Sequence, residues 1–203
     1  MIEEIKPRNR KHWLELRTQG IGGSDIPTLM GVNRYGSWMS VYESKIGIDN
    51  VFSDDSIARM AAGKMLEATI VRMFKKAKPE FKVVNPQLLY RRADNPIAFG
   101  TPDRLLTING NVQAVLEIKN TEYWSREKRI VATYQTQWYM YVLDLQYGFV
   151  CALEKGWKLH TQAVIRDNTL IEQMKETADR FWSCHIVPRI PPSNDTVDEI
   201  DVL

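Results

Sequence analysis

The sequence predicts an α/β protein with a mixed central β-sheet flanked by helices. Apolar-rich runs on either side of the turn signals Asn109-Gly110-Asn111 and Lys155-Gly156 predict two β-hairpins. Apolar residues at helical spacing predict long helices at residues 57–77, 133–145 and 168–185. Strands and helices that alternate in this way pack as helical layers on the faces of a sheet.

Caps and breakers give the order of the remaining elements. Asn9 caps a short helix, and Gly47 stops a second helix that begins at Ser37. Residues 49–56 form a polar, acidic loop, and Ser56 caps the longest helix. The other segments are strands at 83–91 and 97–99 and a polar loop at 120–129, which either lines a binding groove or is a plain exposed face.

Length and composition predict one folded unit. The chain has 203 residues, of which 44% are hydrophobic and 10% aromatic, enough for one sizeable core. We expect a single domain over residues 1–190, followed by an extended acidic tail over 191–203 that is a candidate for docking on a partner. Because the net charge is only +2, any contact with nucleic acid must rest on local basic clusters.

Cysteine content and hydropathy bear on the compartment. Cys151 and Cys184 are too few for a four-thiolate cluster, and a pair alone does not establish a disulfide, which favours a reducing cytoplasm. The polar start MIEEIKPRNRK is unlike a signal peptide, and no apolar run approaches the length of a membrane span. We therefore expect a cytoplasmic protein that makes no membrane contact.

The first hairpin carries the candidate chemistry. If residue 108 pairs with 112 across the turn, Asp103 lies opposite Glu117, and Lys119 shares the face of Glu117. Two opposed carboxylates repel unless a cation lies between them, and hard divalent ions such as Mg²⁺ take oxygen ligands. A neighbouring lysine can orient or help deprotonate an attacking water. A surface hairpin with solvated charges is the alternative on these residues alone.

A glycine-rich segment near the N-terminus predicts an anion site. The loop Gly20-Ile21-Gly22-Gly23 lies between a helix that ends at Arg17 and a second short helix that opens at Ser24. Backbone amides freed by the glycines, the helix N-terminus and the Arg17 guanidinium would together attract an anion. The alternative is that Ser24 is only an N-cap and the glycines only a turn.

Two polar residues fall on apolar faces of predicted helices and so need partners. Glu67 is either a third acid near the metal or a boundary glutamate paired with Arg72 or Lys64. Gln137 lies within an aromatic stripe of the helix from Thr133, where a buried amide requires hydrogen bonds.

These residues resemble the signature of a known nuclease superfamily. Pro102-Asp103 followed by Glu117-Ile118-Lys119 is similar to the PD-(D/E)xK motif. The segment RTQGIGGSDIPTLMG at residues 17–31, with Gly63-x-x-x-Glu67 and Gln137-x-x-x-Tyr141, resembles the phage recombination exonucleases of the YqaJ and lambda exonuclease type. The resemblance covers roughly residues 13–190 and implies a restriction-endonuclease-like fold.

The resemblance also implies a role for each site residue. One or two Mg²⁺ ions, with Mn²⁺ able to replace them, would be held by Asp103, Glu117, the Ile118 carbonyl and Glu67. Lys119 and Gln137 would position the water or the scissile phosphate, and Arg17 with Ser24 would bind the 5′-terminal phosphate of DNA.

The implied activity is 5′ to 3′ digestion of linear double-stranded DNA, which leaves single-stranded overhangs for phage-type recombination. A single-strand annealing protein, a trimeric ring and a phage or prophage origin in a bacterial host are implied with it. A structure-specific or restriction-like endonuclease and a non-catalytic DNA-binding adaptor are the alternatives on the same fold. The complete set of Asp103, Glu117 and Lys119 argues against the inactive adaptor.

Overall fold

A five-stranded mixed sheet forms the centre of the computed structural model, which describes residues 1–48 and 54–193. The elements in chain order are β1 (Ile2–Ile5), α1 (Arg10–Arg17), α2 (Ile26–Leu29), α3 (Trp38–Lys45), α4 (Asp54–Ala77), β2 (Lys82–Val84), β3 (Leu89–Arg92), β4 (Phe99–Gly100), β5 (Arg104–Ile108), β6 (Asn111–Thr121), α5 (Arg126–Leu143), β7 (Tyr147–Glu154), β8 (Lys158–Ile165) and α6 (Asn168–Phe181), which continues as a π-helical turn (Trp182–Ile186).

The strand order of the main sheet is β2-β5-β6-β7-β8. The pair β6 and β7 is parallel, and the other pairs in this sheet are antiparallel. Both predicted hairpins are present, as β5 with β6 and as β7 with β8. The predicted fold class, a mixed sheet flanked by helices, is therefore confirmed.

A second, three-stranded sheet was not predicted. In it β3 pairs antiparallel with both β1 and β4. The single strand predicted over residues 83–91 is in fact two strands in different sheets, because Pro86 and the positive φ of 49° at Gln87 lie between them. An ion pair between Glu3 and Arg91 joins β1 to β3 across a long stretch of sequence.

Helices α1 and α3 follow their predicted caps, whereas the predicted helix starts at Ser56 and Thr133 are wrong. Asn9 accepts a hydrogen bond from the His12 backbone at 2.9 Å, and Ser37 forms a capping box at the start of α3. Helix α5 begins at Arg126 rather than Thr133, because Ser125 caps it, so part of the predicted polar loop is helical. Helix α4 begins at Asp54. Residues 49–53 of the predicted loop and 194–203 of the predicted tail lie outside the described residues.

The two faces of the main sheet are covered by different helices. Ile70 and Phe74 of α4 pack on one face with Leu116 and Ile118 of β6. Helix α5 contributes Trp138 and Met140 to the larger core on the other face. Side chains alternate along a strand, so Glu117 and Lys119 lie on the α5 face. Within residues 1–48 and 54–193, no helix is long and apolar enough to cross a bilayer.

Candidate active site

The turn between β5 and β6 differs from the predicted one. Ile108 pairs with Asn111 and not with residue 112, so Asn109 and Gly110 alone form the turn. Their φ angles are 52° and 83°, the pattern of the mirror-image turns whose twist matches that of paired strands. The predicted register is therefore wrong at the tip of the hairpin.

A β-bulge restores the predicted opposition of the two acids. The register shifts after Leu106, which leaves Gln113 as the extra residue on β6. Beyond the bulge Arg104 pairs with Leu116, and Asp103, directly before β5, therefore lies beside Glu117. The Ile118 backbone N–H donates to Asp103 Oδ2 at 2.8 Å and ties the two segments together.

Lys119 lies at the centre of a hydrogen-bonded group on the α5 face. Its Nζ atom donates to Glu117 Oε1 at 2.6 Å and to Gln135 Oε1 at 2.9 Å. Gln135 Nε2 in turn donates to the Tyr139 hydroxyl at 3.0 Å. Gln135 and Tyr139 are one turn apart on α5, so a single helix face supports the lysine.

Glu117 has the least favourable environment for a negative charge in this group. Only 2% of the residue is exposed, and its Oε2 atom has no hydrogen-bond partner among the described residues. Burial, reinforced by the negative charge of Asp103, raises the pKa of Glu117 to about 8. Burial also raises the pKa of Asp103, although Lys119 and the Ile118 N–H oppose it. Burial opposes the charge on Lys119, but Glu117 and Asp103 outweigh it and raise its pKa.

The donor set suits a hard divalent cation. The unsatisfied Glu117 Oε2 and the adjacent Asp103 carboxylate are oxygen donors of the kind that Mg²⁺ prefers, and a cation would relieve their repulsion. In the part of the chain that the structure describes, no group of three or more His, Cys, Asp and Glu side chains could hold a metal. Any further ligands would then be backbone oxygens, water or substrate phosphate.

Glu67 lies near the acids but has its own partner. Its Oε2 atom is 3.0 Å from Arg104 Nη2, so the partner is neither of the two basic residues that the sequence suggested. The Glu67 charge still contributes to the raised pKa of Asp103. Because α4 packs on the sheet face opposite to Glu117, Glu67 approaches from the other side and meets Arg104 first.

Gln137 is not part of the Lys119 group. Its Nε2 atom donates to the Ile165 carbonyl at 2.8 Å and its Oε1 atom accepts from the Asp167 backbone at 3.0 Å, so both ends of the amide are used where β8 leads into α6. Residues two apart on a helix point roughly 200° apart, so Gln137 cannot face the same way as Gln135. Gln137 therefore makes no hydrogen bond to Lys119 among the described residues, and its role at the water or the scissile phosphate stays a prediction.

The signal for Gln135 was present in the sequence. The pattern Gln-x-x-x-Tyr occurs twice in succession, as Gln135 to Tyr139 and as Gln137 to Tyr141. The two matches differ only in helix phase, and the packing of α5 on the sheet brings the first to Lys119.

Arg17 and Ser24 are in direct contact. Arg17 Nη2 donates to Ser24 Oγ at 3.0 Å, and the guanidinium lies 4.9 Å from the centre of the Trp13 ring. The N-cap of α2 is Asp25, without a side-chain capping bond, so the alternative of Ser24 as the N-cap is wrong. A small pocket at this contact is lined by Arg17, Gly20, Gly22, Ser24, Leu89, Phe99, Gly100 and Thr101.

The glycines of this loop mainly allow close packing. They contribute fewer free backbone amides for an anion than the sequence predicts. A Cβ atom at Gly20 would overlap the Phe99 ring, and one at Gly23 would lie 2.5 Å from Cε1 of Tyr139. The Gly22 amide is already bonded to Asp25 Oδ2 at 2.8 Å. Through Gly23 the loop touches the tyrosine that holds Gln135, so the pocket and the Lys119 group share a wall.

Lys119 also lines a groove of about 560 Å³. The basic residues Arg34 and Lys128 lie on its walls, and Arg34 forms an ion pair with Glu127 at 3.3 Å. Tyr35 and Tyr123 in the same lining are largely exposed. The predicted polar loop thus contributes to a groove that opens beside the catalytic candidates.

This mixed sheet, with its acids on a central hairpin and helices on both faces, has the restriction-endonuclease-like nuclease fold. The chain belongs to the YqaJ-like viral recombinase domain family, whose model matches residues 12–146. The uncharacterised protein YqaJ of Bacillus subtilis is 26% identical over 195 residues, which cover 92% of this chain and 60% of that relative. The chain thus spans 60% of the length of the curated relative that it matches.

Solved structures with this fold include two exonucleases. The alkaline exonuclease LHK-Exo of Laribacter hongkongensis superposes with a TM-score of 0.67 at 15% identity, over 85% of this chain and 91% of the other. A phage-related exonuclease of Haemophilus somnus 129PT gives a TM-score of 0.58 at 14% identity, over 87% and 99% of the two chains. At such identities the likeness establishes the shared fold.

The shared wall at Gly23 can be tested with a matched pair of alanine variants. Gly23→Ala should lower the free energy of unfolding by about 1 to 3 kcal/mol, because its Cβ would press on Tyr139. Gly22→Ala is the control, since its Cβ would meet only Asp25 Oδ2 at 3.5 Å, an ordinary contact. Urea denaturation measures both. Equal stability of the two variants would contradict the assigned contact.

Proposed function

We propose that this chain is a metal-dependent deoxyribonuclease that digests linear double-stranded DNA from the 5′ end. The observation that carries the proposal is the close placement of Asp103 and Glu117 beside Lys119, where one oxygen of the buried Glu117 has no hydrogen-bond partner among the described residues. The L. hongkongensis exonuclease of similar fold has been crystallised with dAMP, a deoxynucleoside monophosphate. This supports a DNA strand as the substrate and a nucleotide as the product.

Asp103 and Glu117, with the Ile118 carbonyl, would hold the metal, for which Mg²⁺ is the expected ion and Mn²⁺ a substitute. When bound, such an ion neutralises charge on the phosphate and lowers the pKa of its water. The Ile118 N–H fixes Asp103 through its hydrogen bond of 2.8 Å. Glu67 is held by Arg104, so we assign it an indirect role and no longer a direct ligand role.

Lys119 supplies positive charge and positioning. An ammonium group has three N–H donors, of which two are directed at Glu117 and Gln135. The remaining donor can point at a phosphate oxygen or at the attacking water. Gln135, fixed by Tyr139, keeps the ammonium from turning toward the carboxylates alone, so we assign to Gln135 the positioning role first expected of Gln137.

Arg17 and Ser24 would bind the 5′-terminal phosphate. Their pocket includes Gly100 and Thr101, which lead directly to Asp103, so a strand end held there has its next linkage close to the acids. The groove with Arg34 and Lys128 would receive the strand beyond that linkage. A terminal phosphate carries more charge than an internal diester, so this pocket would favour it and set the direction of digestion.

The assembly and setting are proposals of the same kind. We expect residues 1–190 to act as one nuclease domain in the cytoplasm of a bacterial host, with a single-strand annealing protein as partner. Since the net charge is only +2, one protomer would hold duplex DNA weakly. A closed ring of three protomers around DNA would retain the substrate by topology instead.

Conservative substitutions of the acids and the lysine test the chemistry. Asp103→Asn, Glu117→Gln and Lys119→Met should each reduce Mg²⁺-dependent release of nucleotides by at least about a hundredfold. Lys119→Met should still bind the ion in calorimetry, because the lysine is not a ligand. Asp94→Asn, an exposed acid paired with Arg92, is the control and should remain active. Full activity of Asp103→Asn would refute the site, and cleavage of closed circular duplex by the wild type would indicate an endonuclease.

The two glutamines of α5 give a second test. Gln135→Ala should lower kcat about ten- to a hundredfold with little loss of stability, because it releases Lys119. Gln137→Ala should act the other way and mainly destabilise the fold, since it leaves two backbone groups unpaired. Steady-state kinetics and thermal unfolding of both variants decide. If Gln137→Ala instead impairs kcat in a fully folded protein, the positioning role belongs to Gln137 and not to Gln135.

Substrate ends test the pocket. Wild type should digest 5′-phosphorylated duplexes about ten- to a hundredfold faster than 5′-hydroxyl duplexes, as expected for charge-assisted hydrogen bonds. Arg17→Ala should largely lose that preference. Arg10→Ala is the matched control, since Arg10 also lies over the Trp13 ring but does not line the pocket. Equal rates on both ends with wild type would mean that the loop is a structural turn.

A further inference from the structure

A buried lysine lies behind the pocket of Arg17 and Ser24. The Lys45 side chain is 2% exposed, and its Nζ atom donates to Asp25 Oδ2 at 2.6 Å and to the Arg17 carbonyl at 3.1 Å. Asp25 is itself buried and also accepts from the Gly22 amide. Desolvating two charges costs free energy that a well-packed apolar pair would avoid, so this pair calls for a role beyond stability.

Asp25 is shared by two cations at unequal distances. Lys45 Nζ lies 2.6 Å from one carboxylate oxygen and Arg17 Nη2 lies 3.8 Å from the other. Two positive groups and one negative group leave a net charge of +1 (+2 − 1) on this set. Coulomb attraction weakens with distance, so Asp25 interacts more strongly with Lys45 than with Arg17. Arg17 is then left with a surplus of positive charge at the pocket.

The exposure of the three side chains follows the same order. Lys45 is 2% exposed, Asp25 9% and Arg17 35%. The lysine is therefore the innermost group, the carboxylate lies between the two cations, and the guanidinium is in contact with solvent. Burial opposes the charge on Asp25, but Lys45 and then Arg17 outweigh it and hold its pKa below its usual value. The carboxylate is therefore ionised and would pair closely with Arg17 if Lys45 did not hold it.

We propose that Lys45 is a positioning residue that holds the Asp25 carboxylate away from Arg17 and so keeps the guanidinium available for a terminal phosphate. The inference rests on the proposed function of the pocket as a 5′-phosphate site. Lys45 acts through two contacts, since it neutralises Asp25 and fixes the Arg17 carbonyl at the end of α1. It touches neither the DNA nor the metal.

A cycle of charge-neutralising substitutions separates this role from simple stabilisation. In Lys45→Met, Asp25 loses its nearer cation and should form a close ion pair with Arg17, which cancels the charge at the pocket. In the double variant Asp25→Asn with Lys45→Met, the competing carboxylate is gone, so Arg17 should again be free. Lys45→Met should lose the preference for the phosphorylated end. The double variant should regain this preference, although it lacks one more buried charge than Lys45→Met.

The measurement is binding in EDTA of duplexes with a 5′-phosphate or a 5′-hydroxyl end, labelled at the 3′ end and followed by fluorescence anisotropy. The ratio of the two affinities should fall about tenfold in Lys45→Met, as for loss of one charge-assisted contact. It should return close to the wild-type ratio in the double variant. Lys158→Met, at an exposed lysine on β8, should leave the ratio unchanged.

The outcomes separate the inference from the function on which it rests. If wild type shows no preference for the phosphorylated end, the proposed phosphate site fails. If wild type has the preference and a folded Lys45→Met keeps it, or if the double variant is no better than Lys45→Met, the positioning role fails alone. A purely structural role would lower the melting temperature and leave the affinity ratio unaltered. Should Lys45→Met not fold, Lys45→Gln keeps a donor for Asp25 without the charge and replaces it in the cycle.

Discussion

The close approach of the buried Glu117 carboxyl group and the half-buried Asp103 carboxyl group is the constraint on which the rest of this structure depends. Burial raises the pKa of both acids, the charge of Asp103 raises that of Glu117 further, and one oxygen of Glu117 has no partner among the described residues. The fold nevertheless holds them together through a bulged hairpin and the Ile118 N–H. Such an arrangement lowers stability unless a cation joins it, so the fold is adapted to binding at the expense of stability.

The alternation of side chains along β6 separates stability from chemistry. One face supplies Leu116 and Ile118 to the core under α4, and the other directs Glu117 and Lys119 toward α5. Strand β6 is hydrogen-bonded to a neighbour on each side, which makes it rigid. Glu117 and Lys119 therefore keep a fixed spacing. On the α5 face, Gln135 and Tyr139 hold the lysine in place.

The sequence was sufficient where local rules decide the structure. Both hairpins and the starts of α1 and α3 were predicted because turn residues and caps act within a few positions. The partners of Glu67 and Gln137, Arg104 among them, were not predicted because helix phase and the choice of sheet face depend on packing between distant segments. The small sheet of β1, β3 and β4 was missed because its pairing joins residues far apart in sequence. The opposition of the acids emerged correctly only because the bulge compensated for the shorter turn.

Two incomplete charge arrangements lie on either side of Tyr139. Around Glu117 two carboxyl groups face one ammonium group, and one Glu117 oxygen has no hydrogen-bond partner among the described residues. Around Arg17 the surplus is positive, because Lys45 already occupies Asp25. If the proposed function holds, a net charge of only +2 would attract DNA weakly through the whole field, and selectivity would come from such local charge differences. A DNA end that carries a terminal phosphate and recruits a divalent cation would balance both at once, whereas free metal or free phosphate would balance only one.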